Sequence, residues 1–307
     1  MSEQKYDLVI IGGGAAGYTA GIYAGRDKLN TVLLEKGVSG GTAGQTDSID
    51  NYPGFPEGIS GAELMNRFKE QGEKFGLEIK EMVKVKEIIP SDNGFKVQTN
   101  KDDLYSEAVI VSTGGRPNKL GLESEKRLSG RGISYCATCD GPFFQDEEVA
   151  VVGGGDAAVQ EAIYLTKFAK KVYIIHRRDE LRAVPALAEK AFENEQIEVL
   201  WDSVVDEFEG EQELENVKVK NVKSGQVSDL EVPGVFIYIG WVPNTDFVED
   251  LLELDDRGRI ITNKHLETSV DGIYAAGDVR SKRHRQVTLA TGEGTRAALN
   301  ISGQLSE

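Results

Sequence analysis

The first apolar run, residues 6–11, is β-rich and barely alternates with polar positions, the pattern of a strand buried on both faces. A glycine-rich turn follows, then a helix-compatible stretch to about Arg26 and a second β-rich run over residues 31–34. The same order returns later as a strand over 148–152, a glycine-rich turn, a helical run to about Phe168 and a strand over 171–175. Between the two, Ser60 and Glu63 have capping-box spacing and open a helix that turns Leu64, Phe68 and Phe75 to one face. Strand-like stretches come next at about 83–89, 95–99 and 108–112, with Asn93-Gly94 turning between the first two. Towards the end, residues 272–276 read as a strand and about 290–302 as a helix whose start is rich in Gly and Ala. The pattern breaks, as hinges would, at Gly114-Gly115-Arg116-Pro117-Asn118 and at Gly240-Trp241-Val242-Pro243-Asn244. Residues 117–243 are therefore expected to form a domain inserted into the one made by 1–116 and 244–307.

The two glycine-rich turns carry chemistry. The first is Gly12-Gly13-Gly14-Ala15-Ala16-Gly17. In a dinucleotide fingerprint Gly12 permits the tight turn, Gly14 lets backbone approach a pyrophosphate, and Gly17 lets helix and strand pack closely. The helix N-terminus, which includes Ala16, offers amides and the positive end of its dipole. Glu35 ends the second strand, where an acid hydrogen-bonds a ribose diol. The second turn is Gly153-Gly154-Gly155-Asp156-Ala157-Ala158, with Ala158 in place of the third glycine. No acid follows its second strand; His176-Arg177-Arg178 stand there instead, with Arg182 close behind. A carboxylate would repel a 2′-phosphate, whereas guanidinium groups attract one and can bind it bidentately. The first unit thus suits a dinucleotide with a free ribose and the second suits NADP. The fold class expected is α/β, with two Rossmann-like, three-layer domains, the second inserted in the first. Gly277-Asp278 close the strand over 272–276, at the carboxyl end where ligands of open α/β sheets gather. Asp278 is either a partner for a cofactor hydroxyl or a plain loop carboxylate, and spacing does not choose between them.

Composition excludes other classes. The 307 residues suffice for about two domains, and 39% hydrophobic content is that of a globular chain. No apolar run is long enough to cross a bilayer, and the segment Met1-Ser2-Glu3-Gln4-Lys5 lacks the apolar core of a signal peptide. A cytoplasmic location is expected. A net charge of −16 argues against nucleic acid and anionic membranes as partners. The one basic run, Lys282-Arg283-His284-Arg285, reads as a solvated loop or as a contact for an acidic cofactor or protein. The two cysteines sit three apart, too few for a disulfide scaffold. Without a second Cys pair, and with His176, His265 and His284 lacking ligand spacing, no metal site is expected.

The cysteines lie in Cys136-Ala137-Thr138-Cys139-Asp140, inside the inserted domain and just before the second fingerprint strand. Between nucleotide-binding units such a pair reads as a dithiol/disulfide switch. One helical turn or tight loop can close the bond and leave one sulfur approachable, and Asp140 can hand a proton to a departing thiolate. The competing reading is two structural cysteines that happen to be close.

Taken in order, these motifs resemble the low-molecular-weight thioredoxin reductases over nearly the whole chain. To the fingerprints, the cysteine pair, the arginines and Gly277-Asp278 are added Gly44-Gln45, Asn51-Tyr52-Pro53-Gly54, Ser112-Thr113-Gly114 and Arg285-Gln286-Val287. The resemblance implies FAD in the first domain, NADPH in the inserted one, a homodimer and a thioredoxin-like partner. It implies that Gln45, Asn51, Thr113, Arg285, Gln286 and Val287 line the flavin site with Gly277, and that Asp278 holds the ribityl chain. It also implies that Cys139 faces the flavin while Cys136 attacks the disulfide of thioredoxin. Two departures are local: Ala43 stands where a glycine is common, and Glu293 where Asp is more usual.

The activity expected is thioredoxin-disulfide reduction, with electrons passing from NADPH through FAD to Cys136–Cys139. Because the nicotinamide site and the cysteines share one domain, a rotation about the two linkers would have to present them to the flavin in turn. Rival readings are a related reductase fed by ferredoxin or a deazaflavin, against which Arg177, Arg178 and Arg182 speak, and a non-catalytic flavin redox sensor. A peroxidase reductase would bring extra N-terminal domains, and a ferredoxin–NADP reductase would lack the cysteine pair.

Overall fold

The computed structural model describes residues 4–46, 49–280 and 285–306, so Lys282, Arg283 and His284 of the basic run lie outside it. The chain forms two compact units, Met1–Arg116 with Val242–Glu307, and Pro117–Trp241. In chain order the first stretch holds β1 (Gln4–Ile11), α1 (Ala15–Arg26), β2 (Thr31–Leu34), α2 (Gly61–Lys74) and β3 (Glu78–Lys80). It continues with β4 (Val85–Ser91), β5 (Gly94–Thr99), β6 (Leu104–Val111) and β7 (Gly115–Pro117). The second unit begins with α3 (Glu123–Leu128), β8 (Ile133–Ser134), α4 (Ala137–Asp140), β9 (Glu148–Gly153), α5 (Asp156–Leu165) and β10 (Lys171–Ile175). There follow α6 (Pro185–Phe192), β11 (Ile197–Leu200), β12 (Ser203–Glu209), β13 (Asn216–Asn221), β14 (Val227–Leu230) and β15 (Gly234–Tyr238). The chain crosses back through β16 (Trp241–Pro243), which pairs with β7, and ends with β17 (Ile273–Ala275) and α7 (Val287–Leu305).

In the first unit β3, β2, β1, β6 and β17 pair in parallel, and the antiparallel β4–β5 hairpin joins β6. Alternation along the strands splits the core in two. Leu8, Ile10, Leu33 and Ile110 face α1 and α7, while Val9, Val32, Leu34 and Val109 face the hairpin side with Val248 and Leu252. Both faces are apolar, so the strands read as continuous runs. Ile11 pairs with Leu34 and with Val111, and Val111 with Ala275, so Gly12, Glu35 and Ser112 leave one carboxyl edge together.

The second unit repeats the plan with a parallel sheet ordered β11-β10-β9-β15-β8. Helix α5 covers one face through Ala158, Ala162 and Leu165. The other face is covered by an antiparallel sheet, β12-β13-β14, through Val205, Phe208, Val217 and Val219. The sequence signal for that sheet is weak, because its outward positions mix charged residues (Asp206, Glu207, Lys218, Lys220, Asp229) with neutral ones. The C-terminal helix starts at Val287 rather than near 290, since Gln286 is its extended N-cap (φ −148°, ψ 149°). No helix among the described residues is long and apolar enough to cross a membrane.

Helix α7 lies close to α1 through a glycine: a Cβ at Gly294 would fall 2.2 Å from the Ala16 carbonyl oxygen, whereas one at Gly303 would meet nothing within 4 Å. Gly294→Ala is expected to cost about 3 kcal/mol by overpacking, and Gly303→Ala, on the same helix, to be neutral or to stabilise by up to about 1 kcal/mol. Equilibrium urea unfolding of the two variants measures both, and equal effects would refute the close-packing account.

Candidate active site

The glycines of the first turn do what the fingerprint requires. Gly12 has φ +110°, and a Cβ there would lie 2.5 Å from the Ser112 carbonyl oxygen. At Gly17 a Cβ would sit 2.0 Å from the Gly12 carbonyl oxygen, so α1 can seat on β1 only without it. A Cβ on Gly14 would meet nothing within 4 Å, and this N-terminus of α1 has no side-chain cap. Open space thus faces uncapped amides, which fits a pyrophosphate. Glu35 holds the turn itself, accepting from the Gly13 amide (2.8 Å) and the Gly37 amide (3.0 Å). Each carboxylate oxygen keeps a further lone-pair direction. Gly12, Glu35 and Thr113 line a cleft of about 770 Å³.

The other flavin candidates fall in three places. The Thr113 hydroxyl is engaged, donating to the Asn244 carbonyl (2.7 Å) while the Asn244 side-chain Nδ2 returns a bond to the Thr113 carbonyl (2.9 Å). Asn51 donates to Gln286 (3.1 Å), which brings two distant segments together; Gln45 lies in the short turn Ala43–Gln45, and Val287 opens α7. Arg285, exposed, precedes Gln286. Gly277, with φ +81°, places Asp278 in a 3-10 turn against Ala16, whose Cβ is 3.0 Å from where a Gly277 Cβ would be. Two residues that grip this turn lacked any sequence signal of their role. Glu293 accepts from the Gly277 amide (2.8 Å) and pairs with Arg280 (2.9 Å), both side chains being nearly buried. The departure at Glu293 is thus a built contact.

In the second unit Gly153 takes φ +149° and Gly155 leaves the N-terminus of α5 without a side-chain cap. A methyl is accepted at Ala158, buried beside Gly153, where position 17 accepts none. The arginine segment folds back on this turn: the Arg182 amide donates to the Gly154 carbonyl (2.6 Å), and the Val184 amide to Asp156 (2.8 Å). The nearest atom to a Cβ on Gly155 would be the Arg182 Nη2, at 4.0 Å. Ala157 is exposed beside it. Arg177, Arg178 and Arg182 are all exposed, and among the described residues none has a carboxylate partner. His176 behaves differently from its neighbours. It is 4% exposed, its Nε2 donates to the Glu180 carbonyl (2.9 Å), and its ring underlies Gly154, where a Cβ would meet Nδ1 at 2.3 Å.

Cys136 and Cys139 form a disulfide, with Cα atoms 5.3 Å apart across the single turn of α4. Cys136 is the N-cap, and its Sγ accepts from the Cys139 amide (3.3 Å). Its own amide donates to Ser134 (3.0 Å), and the Ala137 amide to the Tyr238 hydroxyl (2.8 Å). Burial pushes the Tyr238 phenol well up, with the charges of Glu161 and Asp140 adding to the effect. Asp140 closes the turn, half-buried. The adjacent phenylalanines diverge: Phe144 packs edge-on to Phe236 (5.6 Å), while Phe143 is 81% exposed. Among the described residues no cluster of His, Cys, Asp and Glu could hold a metal ion.

Residues 6–294 match the family described as pyridine nucleotide-disulphide oxidoreductase. The chain is 44% identical to the thioredoxin reductase of Bacillus subtilis, covering 100% of this chain and 97% of that one. Its fold superposes with a TM-score of 0.95 on the Lactococcus lactis thioredoxin reductase structure, at 43% identity over 98% of this chain and 99% of that one. T. acidophilum thioredoxin reductase also gives a TM-score of 0.95, at 35% identity over 99% and 100% of the two chains. The chain belongs to the pyridine nucleotide-disulphide oxidoreductases and, within them, to the bacterial-type thioredoxin reductases.

Proposed function

We propose that the chain is an NADPH-dependent thioredoxin-disulfide reductase of the cytoplasm that uses FAD, works as a homodimer, and delivers electrons to a thioredoxin-like protein through Cys136–Cys139. The observation that carries this reading is one carboxyl edge of the second sheet. It bears an uncapped glycine turn after β9, three exposed arginines after β10 that have no carboxylate partner among the described residues, and the closed Cys136–Cys139 disulfide after β8.

Bound NADPH and FAD would supply the hydride and electron-pair transfer that side chains cannot perform. The protein's part is to bind and orient. Gly12, Gly14, Ala16, Gly17 and the N-terminus of α1 would hold the FAD pyrophosphate, Glu35 its ribose and Asp278 its polyol, with Gln45, Asn51 and the segment 285–287 at the ring. Gly153, Gly155 and the N-terminus of α5 would hold the nicotinamide dinucleotide, and Arg177, Arg178 and Arg182 its 2′-phosphate. Asp156 serves indirectly by pinning Val184, and His176 serves as the floor of the turn.

From the dithiol, the Cys136 thiolate attacks one sulfur of the target disulfide. The target S–S bond breaks, its other sulfur leaves as a thiolate and takes a proton, and Cys139 then attacks the Cys136 sulfur to release the target as a dithiol. The Cys139 amide, 3.3 Å from the Cys136 sulfur, favours the thiolate at that residue. Asp140 would give and take the protons. Exposed Phe143 offers an apolar contact that a protein substrate would cover. Because nucleotide and cysteines share a sheet edge, turnover requires rotation about the crossing segments.

Two outcomes test this reading. Anaerobic NADPH should bleach the flavin band at near-stoichiometric amounts, and Arg177→Ala or Arg178→Ala should raise the KM for NADPH by about 10- to 100-fold, the worth of a charged hydrogen bond, with little change for NADH. Absence of bleaching from a protein that holds FAD would overturn the donor assignment. For His176, burial holds the imidazole below its ordinary 6.5, and the Arg182 and Arg178 charges act the same way. Its folded value lies under its unfolded one, so its contribution is complete above pH 6.5 and is lost as pH falls through the folded value. An NMR titration should place His176 below 6.5, and His176→Gln should flatten the acid loss of stability; a midpoint at or above 6.5 would contradict the floor role.

A further inference from the structure

Glu125 is 1% exposed, the one Asp or Glu among the described residues that is buried, and among those residues no lysine or arginine pairs with it. Its oxygens instead accept from the Leu120 amide (3.1 Å), the Gly121 amide (2.8 Å) and the Tyr135 hydroxyl (2.6 Å). Lys119 sits over the Tyr135 ring, 5.7 Å from its centroid. Removing a carboxylate from water is costly, and only a full set of charge-assisted donors offsets it. An apolar side chain would fill the same space at lower cost, so the carboxylate is explained by what it joins.

Leu120 and Gly121 lie just past β7, where the chain enters the second unit, and Tyr135 immediately precedes Cys136. The outgoing segment holds the same loop from the other side. Tyr238, at the end of β15 and just before β16, accepts from the Ala137 amide (2.8 Å), the residue after Cys136. The Asn118 amide closes the circuit by donating to the Gly240 carbonyl (3.0 Å). Both ends of the crossing thus grip the two residues that flank Cys136.

We infer that Glu125 is a positioning residue for the redox reaction: it fixes the Cys136 loop to the incoming crossing segment, so that the disulfide keeps its place when the unit turns. The inference rests on the proposed role of Cys136–Cys139. It adds no chemical step; Glu125 acts through Tyr135 and touches no reacting atom.

The test uses the FAD-loaded protein carrying Glu125→Gln or, as the milder change, Tyr135→Phe. Three quantities are followed: the rate of flavin bleaching by NADPH, kcat and KM with thioredoxin, and the rate at which iodoacetamide traps the dithiothreitol-reduced cysteines. Bleaching should stay within two-fold of the parent. The kcat should fall five- to twenty-fold with KM within two-fold, trapping should accelerate three-fold or more, and the double variant should be no worse than the poorer single one. Parental kcat and trapping in both variants would overturn the inference. So would a fall in bleaching in step with kcat, which marks general damage. A parent protein that bleaches but never turns over thioredoxin would instead overturn the functional reading on which the inference stands.

Discussion

The first unit depends on one close approach, that of helix α1 to the end of strand β1, where Gly17 stands directly over the Gly12 carbonyl. Any side chain at 17 would lift the helix and move its amides away from the cleft. The approach is extended outward by a second glycine contact, Gly294 on Ala16, which seats α7 on α1. Ala16, the chain neighbour of Gly17, also meets Gly277. Through these contacts the carboxyl ends of β1, β2 and β17 and the start of α7 converge, although they come from opposite ends of the chain. Dispersion and burial then act on surfaces already matched in shape, which is why small residues rather than large ones dominate the α1 and α7 contact.

The second unit uses the same plan with a looser seat, since Ala158 keeps its methyl. What it adds is control of charge. In a chain of net charge −16, three exposed arginines that have no carboxylate partner among the described residues stand where an anion would lie. Their backbone is fixed by the bonds of Arg182 to Gly154 and of Val184 to Asp156, so the guanidinium groups are presented from a defined loop. That pre-organisation would lower the entropy lost on binding an anion there.

The glycine fingerprints, the acid-or-arginine choice after each second strand and the cysteine pair were legible because each is a local pattern whose spacing is set by backbone geometry. The strands over 31–34 and 171–175 fall where the apolar runs put them for the same reason. What sequence could not disclose depends on long-range placement. Glu125, in a stretch rich in Glu and Lys, has the look of a solvated helix, and only the fold brings Tyr135 to it. His176 looks like a fourth cationic group beside the arginines, and only the fold shows it buried beneath Gly154. Phe143 and Phe144 are identical in sequence terms, and only the proximity of Phe236 separates the anchored ring from the exposed one. The sheet formed by β12, β13 and β14 hides behind charge, since one covered face suffices to hold it.

The placement of the reactive elements bears on where the proposed rotation would have to reside. The cysteine loop after β8 and the glycine turn after β9 are separated by β15 alone, so their spacing, roughly 10 Å from two strand intervals, is fixed by a hydrogen-bonded sheet. Such a sheet does not deform to exchange one for the other. On the side of the first unit, Thr113 and Asn244 bond each other twice, and Arg116 reaches Asn244 and Asp246, which stiffens the ends of both crossing segments. The Arg116–Asp246 pair is exposed and contributes little by itself, so the Thr113–Asn244 bonds are the effective clamp. Within the second unit, Asn118 and Gly240 are joined in the same way. Only the short paired segments β7 and β16 remain between the two clamps, and any change of partner by the cysteines has to be taken up in their backbone dihedrals.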